Sequence, residues 1–311
     1  MLQILSITAP IFILISIGYL AARNALVSPE QVTGMGRFVV TLALPALVMK
    51  ALLERPLHEV FDRNYLLAYG LGSLAVFVLG FLFARLLRRE STSGSAITAM
   101  GMSISNSGFI GYPIVAMVVG EKAAVGLALG ILVENLLMLP LGLMLAEAGV
   151  QQGGGLRAVL FGTLKRLASN PIIIALSLGL LLALLDVRLP AVPLRVVDML
   201  AQATAPIALF VIGASLVGLK AGGMVGDVLQ VSFGKLILHP LAVLLMFTLI
   251  PVQDPVLRMA GVLFACSPMM SIYPIIGQRF GQAGRCAAAL LGATVLSFLT
   301  ISSFIGLLGA H

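Results

Sequence analysis

Polar side chains that could bind a ligand are concentrated in two proline-containing segments of this 311-residue sequence. The first reads Gly101-Met-Ser-Ile-Ser-Asn-Ser-Gly-Phe-Ile-Gly-Tyr-Pro113, and the second reads Cys266-Ser-Pro-Met-Met-Ser-Ile-Tyr-Pro274. Hydroxyl and amide groups can donate hydrogen bonds to a carboxylate, and backbone carbonyls freed near prolines can coordinate Na+. The sequence contains no G-x-S-x-G, H-E-x-x-H or P-loop pattern, so it predicts neither an enzyme nor an ATP-driven pump.

Ionisable residues inside long apolar runs form a second group of candidates, Glu134 with its neighbour Asn135, and Lys235. Such residues are costly in a bilayer and usually functional, so we expect a role in coupling, in which Glu134 carries a proton or pairs with a cation during transport. Structural pairing is the alternative for Glu134. For Lys235 and Lys50 the alternatives are pairing between helices or extension of the side chain to the membrane interface. His239 has no Cys or carboxylate at ligand spacing, and no metal site is predicted.

The composition places these candidates in a membrane protein. Hydrophobic residues make up 60% of the chain, charged residues make up 10%, and the mean hydropathy is +1.11. A soluble domain carries about 25% charged residues, so the composition excludes a soluble enzyme, a disordered chain and a secreted disulfide scaffold. The formal net charge of +7 is typical of basic cytoplasmic loops. No nucleic-acid partner is predicted.

Near-continuous apolar runs predict ten transmembrane helices rather than a β-barrel, since the length allows roughly ten spans of about 20 residues. The runs cover approximately 2–22, 36–53, 64–87, 95–119, 123–147, 169–186, 198–219, 232–251, 257–278 and 284–309. A glycine-rich and basic stretch over 149–168 separates five runs from the other five. We therefore predict an all-α membrane protein whose halves, 1–148 and 169–311, are joined by a cytoplasmic linker.

The two halves are related by a shift of 161 positions. This shift superimposes Pro10 on Pro171, Pro45 on Pro206, and the pair Tyr112-Pro113 on Tyr273-Pro274. A repeat with an odd number of helices enters the membrane from opposite sides, which is the inverted repeat of secondary transporters. Loops after odd-numbered helices carry more Lys and Arg than the others, so we expect them in the cytoplasm and both termini outside.

Prolines in the middle of a span predict where helices break. A proline removes one backbone hydrogen bond, and in lipid the freed group needs protein or a water-filled cavity. We expect the fourth helix to unwind near Asn106–Pro113, the ninth to unwind near Ser267–Pro274, and the two to cross near the bilayer midplane around a substrate. The predicted ligand contacts are Ser105, Asn106, Ser107, Gly108, Tyr112, Pro113, Ser267, Pro268, Ser271, Tyr273 and Pro274. Single prolines at 45 and 206 predict either plain kinks or an opposite cavity wall formed by Leu44, Pro45, Val48, Thr204 and Pro206.

Four motifs resemble those of one transporter family. Asn106-Ser-Gly-Phe-Ile-Gly-Tyr-Pro113 resembles the crossover segment of the auxin efflux carrier family, which includes the PIN-like proteins and bacterial malate or other organic-acid permeases. Gly36–Pro45 is similar to the second helix of that family, Arg166–Pro171 to the start of its sixth, and Lys235–Pro240 to its eighth. The similarity covers essentially the whole chain.

The resemblance implies a two-domain fold shared with bile-acid sodium symporters and Na+/H+ antiporters. Helices 1, 2, 6 and 7 would form a scaffold, and helices 3–5 and 8–10 a transport domain that moves as an elevator. An anionic substrate would contact Asn106, Asn170 and, on the scaffold side, Val48. Plant members have a serine at the position of Val48 and a long loop between helices five and six, so the short linker here indicates a bacterial inner-membrane protein.

The sequence therefore predicts a secondary carrier for a small organic anion, an auxin- or malate-like carboxylate. A passive anion channel and a membrane receptor on a transporter fold are the alternatives from other classes. Among carriers, a Na+- or H+-coupled symporter competes with a uniporter. No cofactor is predicted beyond a coupling ion, and the expected partners are the lipid bilayer and a second copy bound through the scaffold helices.

Overall fold

The computed structural model describes residues 2–53, 62–150, 165, 168–185, 187, 189–215, 217 and 225–308, without the side chains of 2–9, 11 and 12. The predicted linker at 149–168 lies mostly outside these residues. Within the described ranges the chain is helical, and its one β-type pairing is an isolated antiparallel bridge between Ser105 and Met269. The prediction of an all-α protein is confirmed for this part of the chain.

Helices cover most of the described part of each predicted apolar run. They are α1 Leu2–Arg23, α2 Pro29–Leu53, α3 Arg63–Leu87, α4a Thr92–Ser103, α4b Ser107–Val119, α5 Lys122–Val150, α6 Pro171–Leu184, α7 Ala191–Ser215, α8 Val225–Leu249, α9a Pro255–Ala265, α9b Tyr273–Arg279 and α10 Ala283–Leu308. Six of them, α2, α3, α5, α7, α8 and α10, are long and apolar enough to cross a membrane.

Several helices begin with a capping side chain followed by proline. The Asn170 side-chain oxygen accepts the backbone N–H groups of Ile172 and Ile173 at the start of α6, and Asp254 caps α9a in the same way. Pro171 and Pro255 occupy the first helical turn, where the missing N–H has no helical partner to lose. These caps satisfy helix ends that lipid would leave without hydrogen bonds.

Four widened π-helical turns, three inside long helices and one at the start of α4b, have a common cause in proline. The turns Val39–Ala43, Ser107–Gly111, Glu134–Met138 and Gly234–Leu238 end two residues before Pro45, Pro113, Pro140 and Pro240, respectively. In each case the carbonyl with which the proline ring would collide, four residues earlier, belongs to the middle of the turn. The wider turn relieves this collision and changes the direction of the side chains it contains. Three of these turns carry the residues of the candidate site.

Contacts divide the chain into two compact units. The first unit comprises Met1–Arg63, Gly108–Leu129 and Ala168–Gly218, and the second comprises Asn64–Ser107, Gly130–Leu167 and Leu219–His311. In the first unit, Gly18 of α1 and Gly213 of α7 allow these two helices to approach closely. A Cβ at either position would collide with the backbone of the other helix. In the second unit glycines of α5 and α8 leave room for Met100 and Met102 of α4a. Small residues at such contacts let membrane helices pack against one another without a hydrophobic driving force.

Candidate functional site

The interrupted parts of the fourth and ninth helices lie against each other in the second unit. Helix α4a ends at Ser103, and the backbone is extended at Ile104, with φ −112° and ψ 130°. Helix α9a ends at Ala265, and α9b begins at Tyr273. Ser105 pairs with Met269 in an antiparallel bridge, and the Asn106 backbone N–H donates to the Pro268 carbonyl oxygen at 2.7 Å. The two unwound segments therefore satisfy part of each other's backbone.

The break in the fourth helix is shorter and earlier than the sequence predicted. The prediction of an unwound segment over Asn106–Pro113 is wrong in extent, because Ser107–Gly111 forms a π-helical turn and Tyr112–Val119 an α-helix. Pro113 lies in the first turn of that helix, where proline needs no hydrogen-bond partner for its nitrogen. The unwound residues are those just before the turn, Ile104 to Asn106.

Three polar side chains of the crossing face one another or are left without a partner. Asn106 donates from Nδ2 to Ser271 Oγ at 2.7 Å. Ser267 is fully buried, and its hydroxyl has no hydrogen-bond partner among the described residues. An unpaired buried hydroxyl is uncommon and costly, so this group is available to a ligand. Tyr273 is different, since its hydroxyl donates to the Ile97 carbonyl at 3.0 Å and so ties α9b to α4a.

The other predicted contacts belong to the first unit. They are Leu44, Pro45, Val48, Gly108, Tyr112, Pro113 and Asn170. Leu44 and Val48 are buried, and Leu44 packs so closely on Gly108 that a Cβ there would lie 2.8 Å from its Cδ1. Tyr112 lines a cavity of about 110 Å³ together with Lys50, Glu121 and Gln202. The Asn170 side-chain oxygen is engaged in capping α6.

Thr204 and Pro206 of α7, two residues of the predicted cavity wall, differ in their exposure. Thr204 is fully buried with no hydrogen-bond partner for its hydroxyl among the described residues, whereas Pro206 is exposed. Helix α7 has a turn at Ala203, just before these residues. A polar group is therefore available at Thr204, while Pro206 faces away from the interior of its unit.

A buried polar network lies directly beside the crossing, within the second unit. The Glu134 carboxylate accepts hydrogen bonds through Oε1 from Ser107 Oγ at 2.7 Å and from the Tyr69 hydroxyl at 3.2 Å. The Lys235 ammonium donates to Ser105 Oγ at 2.9 Å and to the Ala265 carbonyl oxygen at 2.7 Å. Tyr69 also contacts Ser105 Oγ at 3.4 Å. Glu134 and Lys235 are thus joined through hydroxyl groups, and no direct ion pair links these two described residues.

The network continues beyond Lys235 to His239 and Ser73. Lys235 Nζ lies 2.8 Å from His239 Nδ1, and His239 Nε2 lies 2.8 Å from Ser73 Oγ. Because an ammonium group can only donate, Nδ1 accepts and Nε2–H donates to Ser73. The Tyr69 ring stacks on Tyr65 with centroids 5.8 Å apart and meets His239 edge-on at 6.0 Å. We call Glu134, Lys235, His239, Tyr69, Ser73, Ser105 and Ser107 the buried network.

The structure decides between the alternatives for the two lysines. Lys235 has no exposed side-chain surface, so extension to the membrane interface is excluded in favour of bonding between helices. The proline-induced turn at Gly234–Leu238 directs it inward. Lys50 forms an ion pair with Asp198 of α7. The Asn135 side-chain amide donates to the Ile131 carbonyl of its own helix, and its role in coupling stays a prediction.

Tyr69 and Ser73 were missed by the sequence analysis, and His239 was considered only as a metal ligand. Tyr69 and Ser73 lie four residues apart in α3 and Lys235 and His239 lie four apart in α8, so each pair shares one helix face. This spacing was the available signal. The spacing alone did not indicate a functional site, because single hydroxyl and His residues are common in helices.

These features define a helical membrane protein in which two helices are interrupted and polar groups are buried beside the breaks. The model of a family described as "Membrane transport protein" matches residues 4–305. A protein of Rhizobium meliloti (strain 1021) named "Putative malonate transporter" is 30% identical over 311 residues, covering 99% of this chain and 97% of its own length. "Uncharacterized transporter YfdV" of Escherichia coli (strain K12) is 27% identical over 297 residues, with coverages of 93% and 92%.

A plant relative matches over a shorter region. "Auxin efflux carrier component 8" of Arabidopsis thaliana is 27% identical over 154 residues, which is 47% of this chain and 41% of its own. The chain belongs to the membrane transport protein family that includes the auxin efflux carriers, as its motifs predicted. It is a multi-pass membrane transporter and not an enzyme.

Proposed function

We propose that this protein is a secondary carrier that moves a small carboxylate across the membrane and binds it at the crossing of the broken helices. The observation that carries the proposal is the antiparallel contact of Ser105 with Met269, where two interrupted helices expose polar groups inside a membrane protein. Interrupted helices in corresponding parts of two repeats are typical of transporter binding sites. A relative over nearly the full chain is named for malonate, a dicarboxylate, and this supports an organic anion as substrate.

The chemistry at the crossing suits a carboxylate. Asn106 and Ser271 form a pair of hydrogen-bonding side chains, and the buried Ser267 hydroxyl has an unused donor. A carboxylate that binds there can accept from the hydroxyl groups and from the Asn106 amide once its bond to Ser271 is exchanged.

Backbone geometry supports the inverted repeat that this mechanism needs. Gly120 ends α4b with φ +66°, and Gly281 follows α9b with φ +72°. These glycines are 161 positions apart, the same shift that superimposes Tyr112-Pro113 on Tyr273-Pro274. A left-handed conformation at both positions requires glycine or a strained residue. We infer ten spans in two inverted five-helix repeats, residues 1–148 and 169–311.

The same reasoning gives the proposed mode of movement. Helices α1, α2, α6 and α7 form the scaffold, and α3 to α5 with α8 to α10 form the transport domain that carries the site across the bilayer. We place the protein in a bacterial inner membrane with both termini outside and odd-numbered loops in the cytoplasm. A dimer through the scaffold would hold it fixed while the transport domains move, and the mass of the detergent-solubilised protein tests this.

Counterflow in proteoliposomes tests the carrier and its site together. The purified protein is reconstituted with unlabelled malonate inside, and uptake of labelled malonate is measured without any ion gradient. A carrier gives a transient accumulation, whereas a channel gives only equilibration. We expect Asn106→Ala to reduce the initial rate by about tenfold to a hundredfold, because one or two hydrogen bonds to a charged ligand are lost.

The matched control is Asn135→Ala, which removes an amide that bonds only to its own helix in the described structure. We expect it to retain counterflow within about threefold of the wild type. Equal losses in the two variants would contradict a binding role for Asn106. No accumulation with malonate or any of a panel of mono- and dicarboxylates would refute the anion carrier itself.

A further inference from the structure

The Lys235 ammonium occupies a position suited to a bound cation. It donates to the carbonyl oxygen of Ala265, the last residue of α9a, and to the Ser105 hydroxyl beside the break in the fourth helix. Half-helix C-terminal ends carry partial negative charge, and in Na+-coupled carriers such carbonyls coordinate the sodium ion. Here a covalently attached ammonium already uses these oxygens. The described residues therefore favour a carrier that has no Na+ at this place.

Glu134 has the surroundings of a residue that binds a proton. Its side chain is 7% exposed, and both hydrogen bonds to its Oε1 come from neutral hydroxyl groups, those of Ser107 and Tyr69. A buried carboxylate without a directly bound cation is costly, and a proton removes its charge reversibly. The titratable or charged groups facing it are Tyr69 of α3 and Lys235 of α8, with His239 and Cys266 behind Lys235, while α4 contributes hydroxyls.

A single residue, Ser107, connects Glu134 to the proposed substrate site. Ser107 donates to Glu134, and Ser107 directly follows Asn106, whose amide reaches the crossing. A substrate carboxylate at Asn106 would therefore place a second negative charge close to Glu134. Two neighbouring carboxylates resist being ionised together, so binding the anion favours a proton on Glu134.

No ionisable residue among Glu134, Lys235 and His239 has an ionisable equivalent in the other half of the duplicated sequence. The shift of 161 positions places Val295 opposite Glu134, Leu74 opposite Lys235 and Val78 opposite His239. The equivalent positions are all apolar, so duplication alone does not explain these charges. Glu134, Lys235 and Ser107 also lie in three separate π-helical turns, a feature frequent at functional sites.

We propose that the carrier is coupled to protons, that Glu134 binds the transported proton, and that Lys235 is the fixed cation that makes Na+ unnecessary. This inference rests on the proposed anion carrier. One proton joins the Glu134 carboxylate on the side where the anion binds and leaves it on the other side, while Lys235 keeps its charge throughout. A monocarboxylate is then moved with no net charge, and a dicarboxylate with one negative charge.

Gradient-driven uptake in proteoliposomes tests the coupling. Labelled malonate uptake by the full-length wild type is compared under a pH gradient with an alkaline interior, under a Na+ gradient and under neither, with the membrane potential clamped. We expect the pH gradient to raise the internal concentration up to about tenfold per pH unit for one proton per anion, and we expect the Na+ gradient to add nothing. In Glu134→Gln the response to the pH gradient should disappear, while counterflow of malonate remains within about threefold.

Two further variants complete the test. Glu147→Gln alters an exposed carboxylate of the same helix that pairs with Arg279, and it should respond to the pH gradient as the wild type does. Glu134→Asp keeps a protonatable group, so it should keep the coupling with a shifted pH profile, and it replaces Glu134→Gln if the latter does not fold. Coupling retained in Glu134→Gln, or lost in a folded Glu134→Asp, overturns the proposal.

Other results separate this inference from the proposed function. Uptake driven by the Na+ gradient overturns the role given to Lys235. Loss of counterflow together with coupling in folded Glu134→Gln would place Glu134 in the substrate site and also overturn the proposal. Absence of counterflow in the wild type would instead refute the anion carrier from which the inference starts.

Discussion

Two clusters of charged side chains in the second unit hold opposite charges in different ways. In the first, Arg285 donates to both carboxylate oxygens of Glu90 at 2.8 and 3.0 Å, and Arg88 contacts Asp227 at 2.7 Å. These side chains lie near the ends of α3, α4a, α8 and α10 and are 14–37% exposed. We call Glu90, Arg88, Asp227 and Arg285 the ion-pair cluster. Here water remains close, and the charges touch directly.

The buried network keeps its charges apart. Glu134 and Lys235 are almost fully buried, and hydroxyl groups of Ser105 and Tyr69 lie between them. Direct pairing fixes both partners, because removing one leaves the other uncompensated. A separation by hydroxyls, which can both donate and accept, lets one group change its protonation while its neighbours reorient. The ion-pair cluster is therefore suited to a fixed joint between helices, whereas the buried network is suited to a group that changes its protonation state.

The largest expected effect on stability is that of Lys235→Met. This change leaves the Ala265 carbonyl, the Ser105 hydroxyl and His239 without their donor, and leaves Glu134 without its nearest cation. Breaking buried charge interactions of this kind costs about 3–5 kcal/mol. Thermal unfolding can be followed with a thiol-reactive dye, because Cys266 and Cys286 are free and buried until the chain unfolds.

Lys165→Met is the matched control, since Lys165 is exposed. We expect its unfolding midpoint to equal that of the wild type. If Lys235→Met unfolded at the wild-type temperature too, the buried network would contribute nothing to the folded state and the comparison with the ion-pair cluster would fail.

A smaller effect is expected for Glu90→Gln in the ion-pair cluster. The glutamine keeps the shape but loses the charge that binds Arg285 and accepts from Thr98. Hydrogen bonds to charged groups contribute about 1.5–3 kcal/mol, and partial exposure puts this variant at the low end. The same dye assay, repeated from low to high salt, sharpens the contrast between the clusters.

Salt screens partly exposed charges far more than buried ones. The difference in stability between the wild type and Glu90→Gln should therefore shrink as salt rises, whereas that of Lys235→Met should not. An identical salt response in the two variants would show that the clusters differ in position but not in physical character.

The sequence predicted the helical class, the family and the two interrupted helices, because these depend on composition and on prolines. It also selected Glu134 and Lys235, because a charge inside an apolar run is conspicuous. Pro140 and Pro240 were not connected to these residues, although each causes the π-helical turn that carries one of them. A rule that searches four to six residues before each proline in a span would have found both.

The hydrogen-bond partners could not be predicted from the sequence. Tyr69 reaches Glu134, Ser105 reaches Lys235 and Ser73 reaches His239 only through tertiary packing, across separations of 65, 130 and 166 positions. The extent of the break at Asn106 was also misjudged, because a proline in the first turn of a helix is compatible with that helix. The local sequence indicates where the helical hydrogen bonding is interrupted. Tertiary packing determines whether that interruption is a break in the helix or a π-helical turn.

The smallest effect is expected for the ion pair between Lys50 and Asp198 in the first unit. These side chains are 26% and 18% exposed, and Asp198 also accepts from Arg195 and Gln202. Because Asp198 keeps those partners when Lys50 is lost, Lys50→Gln should cost about 0–1 kcal/mol in the same assay. This outcome would rank the three sites by burial and by the partners left behind. A loss as large as that of Lys235→Met would instead show that a partly exposed pair can match a buried network, and burial would no longer explain the ranking.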